Sequence, residues 1–316
     1  MKCVSASWNL VLPEGKGTLK IAIASGKGGT GKTLVSTNLA KIAANLDSDV
    51  VYVDCDVEEP NGHLFLRGVV EQTRPVLKPI PVIDPHFCDK CGICSDFCQF
   101  NALATLPNQT IVFPELCHSC GGCRLVCPMR AIQEIDHTIG VVRERRVGTL
   151  STIDGLVNIG VSSVTTVIRA VKDSIPSDAF ALLDAPPGTA CPVVETLEGC
   201  SFALLVAEPT PFGLHDFTLA VELLRELQLP FAAVVNRVGL GDRRMHDFCR
   251  NEGIEILLEL PDDRRIAEMY SRGKLLVDEE PEYRQLFEVL YRRLQERVAR
   301  AESFTEHVRG GMEGMA

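Results

Sequence analysis

The chain has 316 residues, 46% of them hydrophobic and 23% charged. At roughly 150 residues per domain this is enough for about two domains with a sizeable core, which argues against a disordered chain. Forty-two acidic against 32 basic side chains give a formal charge of −10, which argues against a general nucleic-acid binder.

Residues 1–18 read as an N-terminal extension. Met1 and Lys2 precede a short mixed run, Cys3 to Leu12, broken by Ser5, Ser7 and Asn9, which does not resemble a secretory signal. Leu19–Ser25 is the first apolar run and predicts a strand. It leads into Gly26-Lys27-Gly28-Gly29-Thr30-Gly31-Lys32-Thr33, which fits G-x-x-x-x-G-K-[ST], and then into a helical pattern over Lys32–Leu46. That context is the one a phosphate loop requires. Glycines let successive N–H groups face the phosphates, and the helix N-terminus adds partial positive charge. Lys32 is expected to reach the β- and γ-phosphates of ATP, and Thr33 to place its hydroxyl on Mg2+.

Further strands are predicted at Val50–Asp54, Ala179–Asp184, Phe202–Ala207, Phe231–Val235 and Ile254–Leu258. Helical patterns lie at Ser163–Ser174, Leu214–Leu227, Met245–Gly253 and Pro281–Ser303. Near-continuous apolar strands separated by helices predict an α/β fold with a mostly parallel sheet covered on both faces. Leu286, Leu290, Leu294 and Val298 mark the face of the last helix expected to pack on that sheet. The uncharged run Gly155–Ile168 is shorter than the roughly 18 residues a membrane helix needs, and Phe97–Pro114 is too polar.

The alternation stops between about Val82 and Asp136. Pro79-Ile80-Pro81 reads as an entry linker to this stretch. Here Cys88, Cys91, Cys94 and Cys98 follow C-x2-C-x2-C-x3-C, and Cys117, Cys120, Cys123 and Cys127 repeat the pattern 29 residues later. Ile83 matches Val112, Pro85 matches Pro114, and Ala102-Leu103 matches Ala131-Ile132, so hydrophobic residues repeat with the cysteines. The repeat predicts a duplicated unit. Thirteen cysteines are an odd number, and no export signal is evident, so metal binding in a reducing, cytoplasmic setting is expected over a disulfide framework. The spacing is that of 4Fe–4S ligands. Four-cysteine zinc sites usually separate two C-x2-C pairs more widely. Gly92, Gly121 and Gly122 are expected to let N–H groups approach the sulfurs. The division is then 1–18 extension, 19–81 and 138–304 two parts of a P-loop domain, 82–137 an insert, and 305–316 a mobile tail.

The loop lysine Lys27 makes the phosphate loop resemble the MinD-type branch of P-loop ATPases, which includes the nitrogenase iron protein. The resemblance implies a three-layer P-loop fold, ATP hydrolysis and a homodimer in which Lys27 reaches the partner's nucleotide. Asp56, after the second strand, matches the residue that positions the attacking water, with Asp54 a supporting acid near Mg2+. Asp184 matches the magnesium-side aspartate, followed by a second switch through Ala185-Pro186-Pro187-Gly188-Thr189. Asn236 and Arg237 resemble the adenine-edge position, and Pro261-Asp262 the loop against the base. Leu34 stands where the family usually has a second Thr on the α-phosphate.

The cysteine stretch resembles a bacterial two-cluster ferredoxin, a small α+β unit, with Gln99 in place of a proline. In that family the fourth cysteine of each run serves the other cluster. The resemblance therefore implies Cys88, Cys91, Cys94 and Cys127 for one cluster, and Cys117, Cys120, Cys123 and Cys98 for the other. Cys191 matches a position that, in the nitrogenase iron protein, ligates a cluster shared across the dimer; Asn158–Ser163 holds no second such cysteine. Cys55, Cys200 and Cys249 read as small buried hydrophobes. The resulting expectation is an ATPase whose nucleotide-driven switching gates electron transfer through two 4Fe–4S clusters to a redox partner protein. The alternatives are an iron–sulfur scaffold or carrier with client proteins, and a positioning or assembly ATPase with structural clusters. No nucleic-acid partner and no membrane association are expected.

Overall fold

The computed structural model describes residues 18–47 and 49–313, with side chains to Arg300. The extension before Thr18, with Cys3, and the last three residues of the predicted tail lie outside the described residues. A nine-stranded sheet forms the centre of the molecule. Its strands are β1 (Leu19–Ala24), β2 (Val50–Asp54), β3 (Val69–Ile83), β6 (Ile132–Val147), β7 (Leu150–Val157), β8 (Phe180–Asp184), β9 (Phe202–Ala207), β10 (Phe231–Val238) and β11 (Ile256–Pro261). They run in the order β11-β10-β9-β1-β8-β2-β7-β6-β3. Pairing is parallel from β11 to β7 and antiparallel between β7, β6 and β3.

Side chains alternate between the two faces, as a sheet buried on both sides demands. Ile21, Ile23, Val50 and Tyr52 join one core, packed under α1 (Lys32–Leu46), α8 (Arg264–Ser271), α9 (Leu276–Glu279) and α10 (Pro281–Glu313). Ala22 and Ala24 face α5 (Cys191–Leu197), α6 (Pro211–Glu226) and α7 (Arg244–Asn251), and Val51 and Val53 face α4 (Val164–Lys172). The molecule is thus a three-layer α/β structure. On α10 the buried face is Tyr283, Phe287, Leu290, Tyr291, Leu294 and Val298, while Leu286 is exposed. The helix also continues to Glu313, because no strong breaker follows Ser303 until Gly310.

The sequence reading missed β3, β6 and β7. β3 and β6 form a long antiparallel ribbon whose outer reaches are exposed and charged, so neither strand shows a continuous apolar run. The Pro79-Ile80-Pro81 linker is a correction of the same kind: it lies inside β3. Pro75, Pro79 and Pro81 occupy alternate positions of this edge strand, where every second N–H turns away from the ladder and its loss costs little.

The ribbon ends in a compact unit built from α2 (Ile93–Phe97), β4 (Leu103–Thr105), β5 (Thr110–Val112) and α3 (Gly122–Val126). The 29-residue repeat is present in the backbone. Positive φ occurs at Lys90 and Ser119, at Gly92 and Gly121, and at Asn101 and Arg130. Hydrogen bonds repeat crosswise: Asp84 N–H donates to Ala131 and Phe113 N–H to Ala102, both at 2.8 Å. Gly92 and Gly121 hold the left-handed N-cap positions of α2 and α3, where a side chain would be strained. Gly122 has a different reason to be glycine: a Cβ there would overlap the Phe97 ring.

Candidate functional site

The phosphate loop connects β1 to α1 at the carboxyl end of the central strand, where α/β sheets bind ligands. Lys32 and Thr33 open α1, directly after Gly31 in a left-handed conformation (φ 92°). A Cβ on Gly31 would overlap the Asn236 amide. The Lys32 ammonium is buried and pairs with Asp184 Oδ1. Asp184 Oδ2 accepts a hydrogen bond from the Tyr52 hydroxyl at 2.9 Å. Burial alone would lower the Lys32 pKa, but Asp184, helped by Asp54 and Asp56, more than offsets this and raises it. Lys27 is partly exposed and pairs with Glu208 at 2.5 Å, and Glu208 also holds Arg237 at 3.1 Å.

Strand register sets acids side by side. Asp54 on β2 aligns with Asp184 on β8 and with Asp154 on β7. The Asp54 carboxylate accepts the N–H groups of Asp56 (3.1 Å) and Gly62 (2.9 Å), so it shapes the loop after β2. Burial, with the Asp184 charge beside it, pushes Asp54 up to about 7, and burial also raises Asp56. Asp154 is neutralised instead: Arg143 reaches its Oδ2 at 2.8 Å and Arg145 contacts its Oδ1. The sequence reading missed Asp154, Arg143 and Arg145 because they lie on the two strands it did not recognise.

A pH effect follows from Asp54. Its folded pKa lies above the ordinary 3.8, so the folded chain holds this proton more tightly than the unfolded chain. Its contribution to stability is therefore greatest at low pH and is lost as pH rises toward about 7. In nucleotide-free protein, the denaturation midpoint of wild type relative to Asp54→Asn should fall between pH 5 and 8. A constant difference across that range would contradict the assignment.

On β10, Asn236 is only 4% exposed. Its Nδ2 donates to the Thr30 carbonyl at 2.8 Å, and its Oδ1 accepts the Arg237 N–H at 2.9 Å. The amide is turned toward the phosphate loop and holds its Thr30 carbonyl. Its location at the end of a buried strand was legible; its direction was not. Arg237, Pro261 and Asp262 are exposed, with Asp262 N–H on the Val238 carbonyl at 3.0 Å.

The eight module cysteines face two cavities. One is narrow and lined by Cys88, Cys91, Cys94 and Cys127; the wider one is lined by Cys98, Cys117, Cys120 and Cys123. Backbone N–H groups of Ala102, Ala131 and Ser119 donate to the sulfurs of Cys98, Cys127 and Cys117, each at 3.3 Å. Cys94, Cys117 and Cys123 also form the small core with Ile80, Ala102, Leu103 and Ile132. Among the described residues, no three His, Cys, Asp or Glu side chains converge tightly enough for a single metal ion.

A sequence model of the CobQ/CobB/MinD/ParA nucleotide binding domain matches residues 21–277. The chain belongs to this family. It is similar to the uncharacterized protein MJ0578 of Methanocaldococcus jannaschii, with 31% identity covering 88% of this chain and 97% of that one. An iron–sulfur cluster carrier protein of Pyrococcus horikoshii is 23% identical over 82% of this chain and 79% of its own. Among solved structures, the septum site-determining protein MinD of Pyrococcus horikoshii, complexed with Mg-ADP, aligns with a TM-score of 0.55 at 21% identity. It covers 88% of this chain and 96% of that chain, and shows the shared fold.

Within this family fold, Lys32, Asp54 and Asp184 are brought together, with Asp56 at the edge of the group. Cys55 and Cys249 are buried, Cys200 is half-buried, and Cys191 is exposed at the first position of α5. No described helix is long and apolar enough to cross a membrane.

Proposed function

We propose that this family member is an ATPase whose nucleotide state gates electron transfer through two 4Fe–4S clusters in the module, residues 82–137. The observation that carries the reading is the division of the cysteines between the two cavities. Each cavity takes three cysteines from one run and the fourth from the other, the pattern of a two-cluster ferredoxin. The donor set fits: four thiols per cavity with N–H groups on several sulfurs. When bound, such clusters supply one-electron storage.

The chain's own residues provide the rest. Lys32 and the loop N–H groups hold the phosphates, and Thr33, Asp54 and Asp184 hold Mg2+ directly or through water. Asp56 orients the attacking water. Asn236, Arg237, Pro261 and Asp262 border the base. A continuous contact path leads from this site to the module. Val157 N–H donates to the Val57 carbonyl at 2.9 Å, three residues after Asp54, and Ser162 Oγ donates to the Glu115 carbonyl at 2.9 Å, two residues before Cys117. A shift of the loop after β2 on hydrolysis would thus be felt beside the wider cavity.

Midpoint potentials in anaerobic protein, with and without MgATP, test the reading. A shift of about 59 mV, tenfold in the one-electron equilibrium, is expected. No shift, with both clusters intact and ATP bound, would favour the second reading, a cluster carrier. That reading draws on the relatives named as iron–sulfur cluster carriers and on the exposed Cys191. Iron transfer to an apo-acceptor would then be measurable.

The functional unit is proposed to be a homodimer in which Lys27 leaves Glu208 for the partner's nucleotide. Glu208→Gln should then lower the concentration for ATP-dependent dimerisation by about two- to fivefold, as expected for a pair whose lysine end is partly exposed. Sedimentation velocity with MgATP checks this; an unchanged or higher concentration would argue that Glu208 does not restrain Lys27.

A further inference from the structure

Lys78 lies on β3, and its side chain enters the protein at the join between the ribbon and the module. The residue is 3% exposed. Its ammonium donates to the Cys117 carbonyl and, at 2.5 Å, to the Ser163 hydroxyl at the start of α4. Both partners are neutral oxygens, and among the described residues no carboxylate pairs with Lys78. A buried ammonium with no counter-charge is costly, and its presence calls for an anion nearby.

The acidic group that acts on Lys78 is the thiol of Cys117, in the wall of the wider cavity. A 4Fe–4S cube with its four thiolates carries roughly two to three negative charges, the larger number after one electron is added. Other charges around this cavity are weaker claims on it. Asp96 is exposed, and Glu134 is paired with Arg124 at 3.1 Å. His118 stacks on Phe100 at 3.8 Å. Among the described residues, the narrower cavity has no equivalent of Lys78. Its wall carries Asp89 and Lys90, both exposed, and the residue 29 positions after Lys78 is the exposed Pro107.

We propose that Lys78 is the internal counter-ion of the four-thiolate site at Cys98, Cys117, Cys120 and Cys123, and that it makes this site the higher-potential one of the pair. The inference rests on the two-cluster reading above. A fixed positive charge in a poorly solvated place favours the more negative, reduced state. One electron entering the module therefore rests beside Ser163 and the main sheet, and the narrower cavity's cluster is the lower-potential relay. The duplicated sequence is in this way made functionally unequal by one side chain from outside the repeat.

The test is a reductive titration of anaerobically reconstituted full-length protein with dithionite, followed by electron paramagnetic resonance. Wild type should show two one-electron steps. Lys78→Met, which removes the charge at similar volume, should lower the upper step by about tenfold in the reduction equilibrium, or 59 mV, and leave the lower step nearly unmoved. Lys78→Gln keeps a hydrogen-bond donor without the charge and should do the same. Ser163→Ala keeps the charge and should move neither step appreciably. Cys88→Ser with Cys127→Ser leaves only the wider site, and the Lys78→Met shift should persist in that background.

Both steps unmoved in a loaded Lys78 variant would overturn the proposal while leaving the two-cluster reading intact. Folded Lys78→Met and Lys78→Gln proteins that both fail to load the wider site would make Lys78 a structural tie and also overturn it. Wild type that takes up no clusters would overturn the two-cluster reading itself, and this inference with it.

Discussion

Replacing Lys32 with alanine is expected to lower kcat/KM for MgATP by about a hundred- to a thousandfold or more. It should also destabilise the fold, by about 3–5 kcal/mol. The two effects have different origins. The first is loss of the ammonium proposed to meet the phosphates from the start of α1. The second is loss of the buried partner of Asp184, which leaves that carboxylate with only the Tyr52 hydroxyl, next to Asp54. A second change separates them. Adding Asp184→Asn to Lys32→Ala removes the orphaned charge, so much of the stability should return while hydrolysis stays lost. Denaturant midpoints and steady-state rates measure the two. Lys32→Ala with wild-type stability would show that the pair contributes nothing net, and retained hydrolysis would remove Lys32 from the phosphate site.

Paired cysteine substitutions should distinguish crossed from uncrossed ligation by an all-or-half change in iron content. Cys88 and Cys127 line the same cavity although they belong to different runs. Cys88→Ser with Cys127→Ser should therefore abolish one cluster and keep about four irons per chain. Cys88 and Cys98 belong to the same run but face different cavities. Cys88→Ser with Cys98→Ser should remove both clusters, with loss of nearly all iron. Uncrossed ligation predicts the reverse. Iron analysis with the electron paramagnetic resonance of the reduced protein reads the outcome directly. Similar loss from both pairs would mean that each cluster depends on the other for its fold, and single substitutions would then be needed.

Legibility varied with how local each feature is. The phosphate loop lies in eight consecutive residues between a strand and a helix, so motif and context could be read together. The parallel strands were visible because burial on both faces leaves uninterrupted apolar runs, as in Phe202–Ala207. The cysteine repeat was visible because its period recurs in hydrophobic positions; the backbone then repeats it in the residues with positive φ. β3 and β6 were not legible, since an exposed ribbon has little hydrophobic signal and three prolines argue against a strand unless its edge position is known.

The sequence by itself determined the α/β order, the phosphate loop and the duplicated cysteine spacing. Each depends on residues near one another in the chain, where helix and strand periodicity and loop chemistry act directly. The tertiary structure alone decided the partners. Asp54 meets Asp154 and Asp184 through strand register, Asn236 turns into the loop at Thr30, and Lys78 reaches the Cys117 carbonyl. These contacts join segments tens to hundreds of residues apart. Parallel pairing of β2 with β7 and β8 aligns the acids, the place of β10 in the same sheet brings Asn236 to the loop, and β3 carries Lys78 to the module; burial there turns ordinary charged side chains into a coupled site.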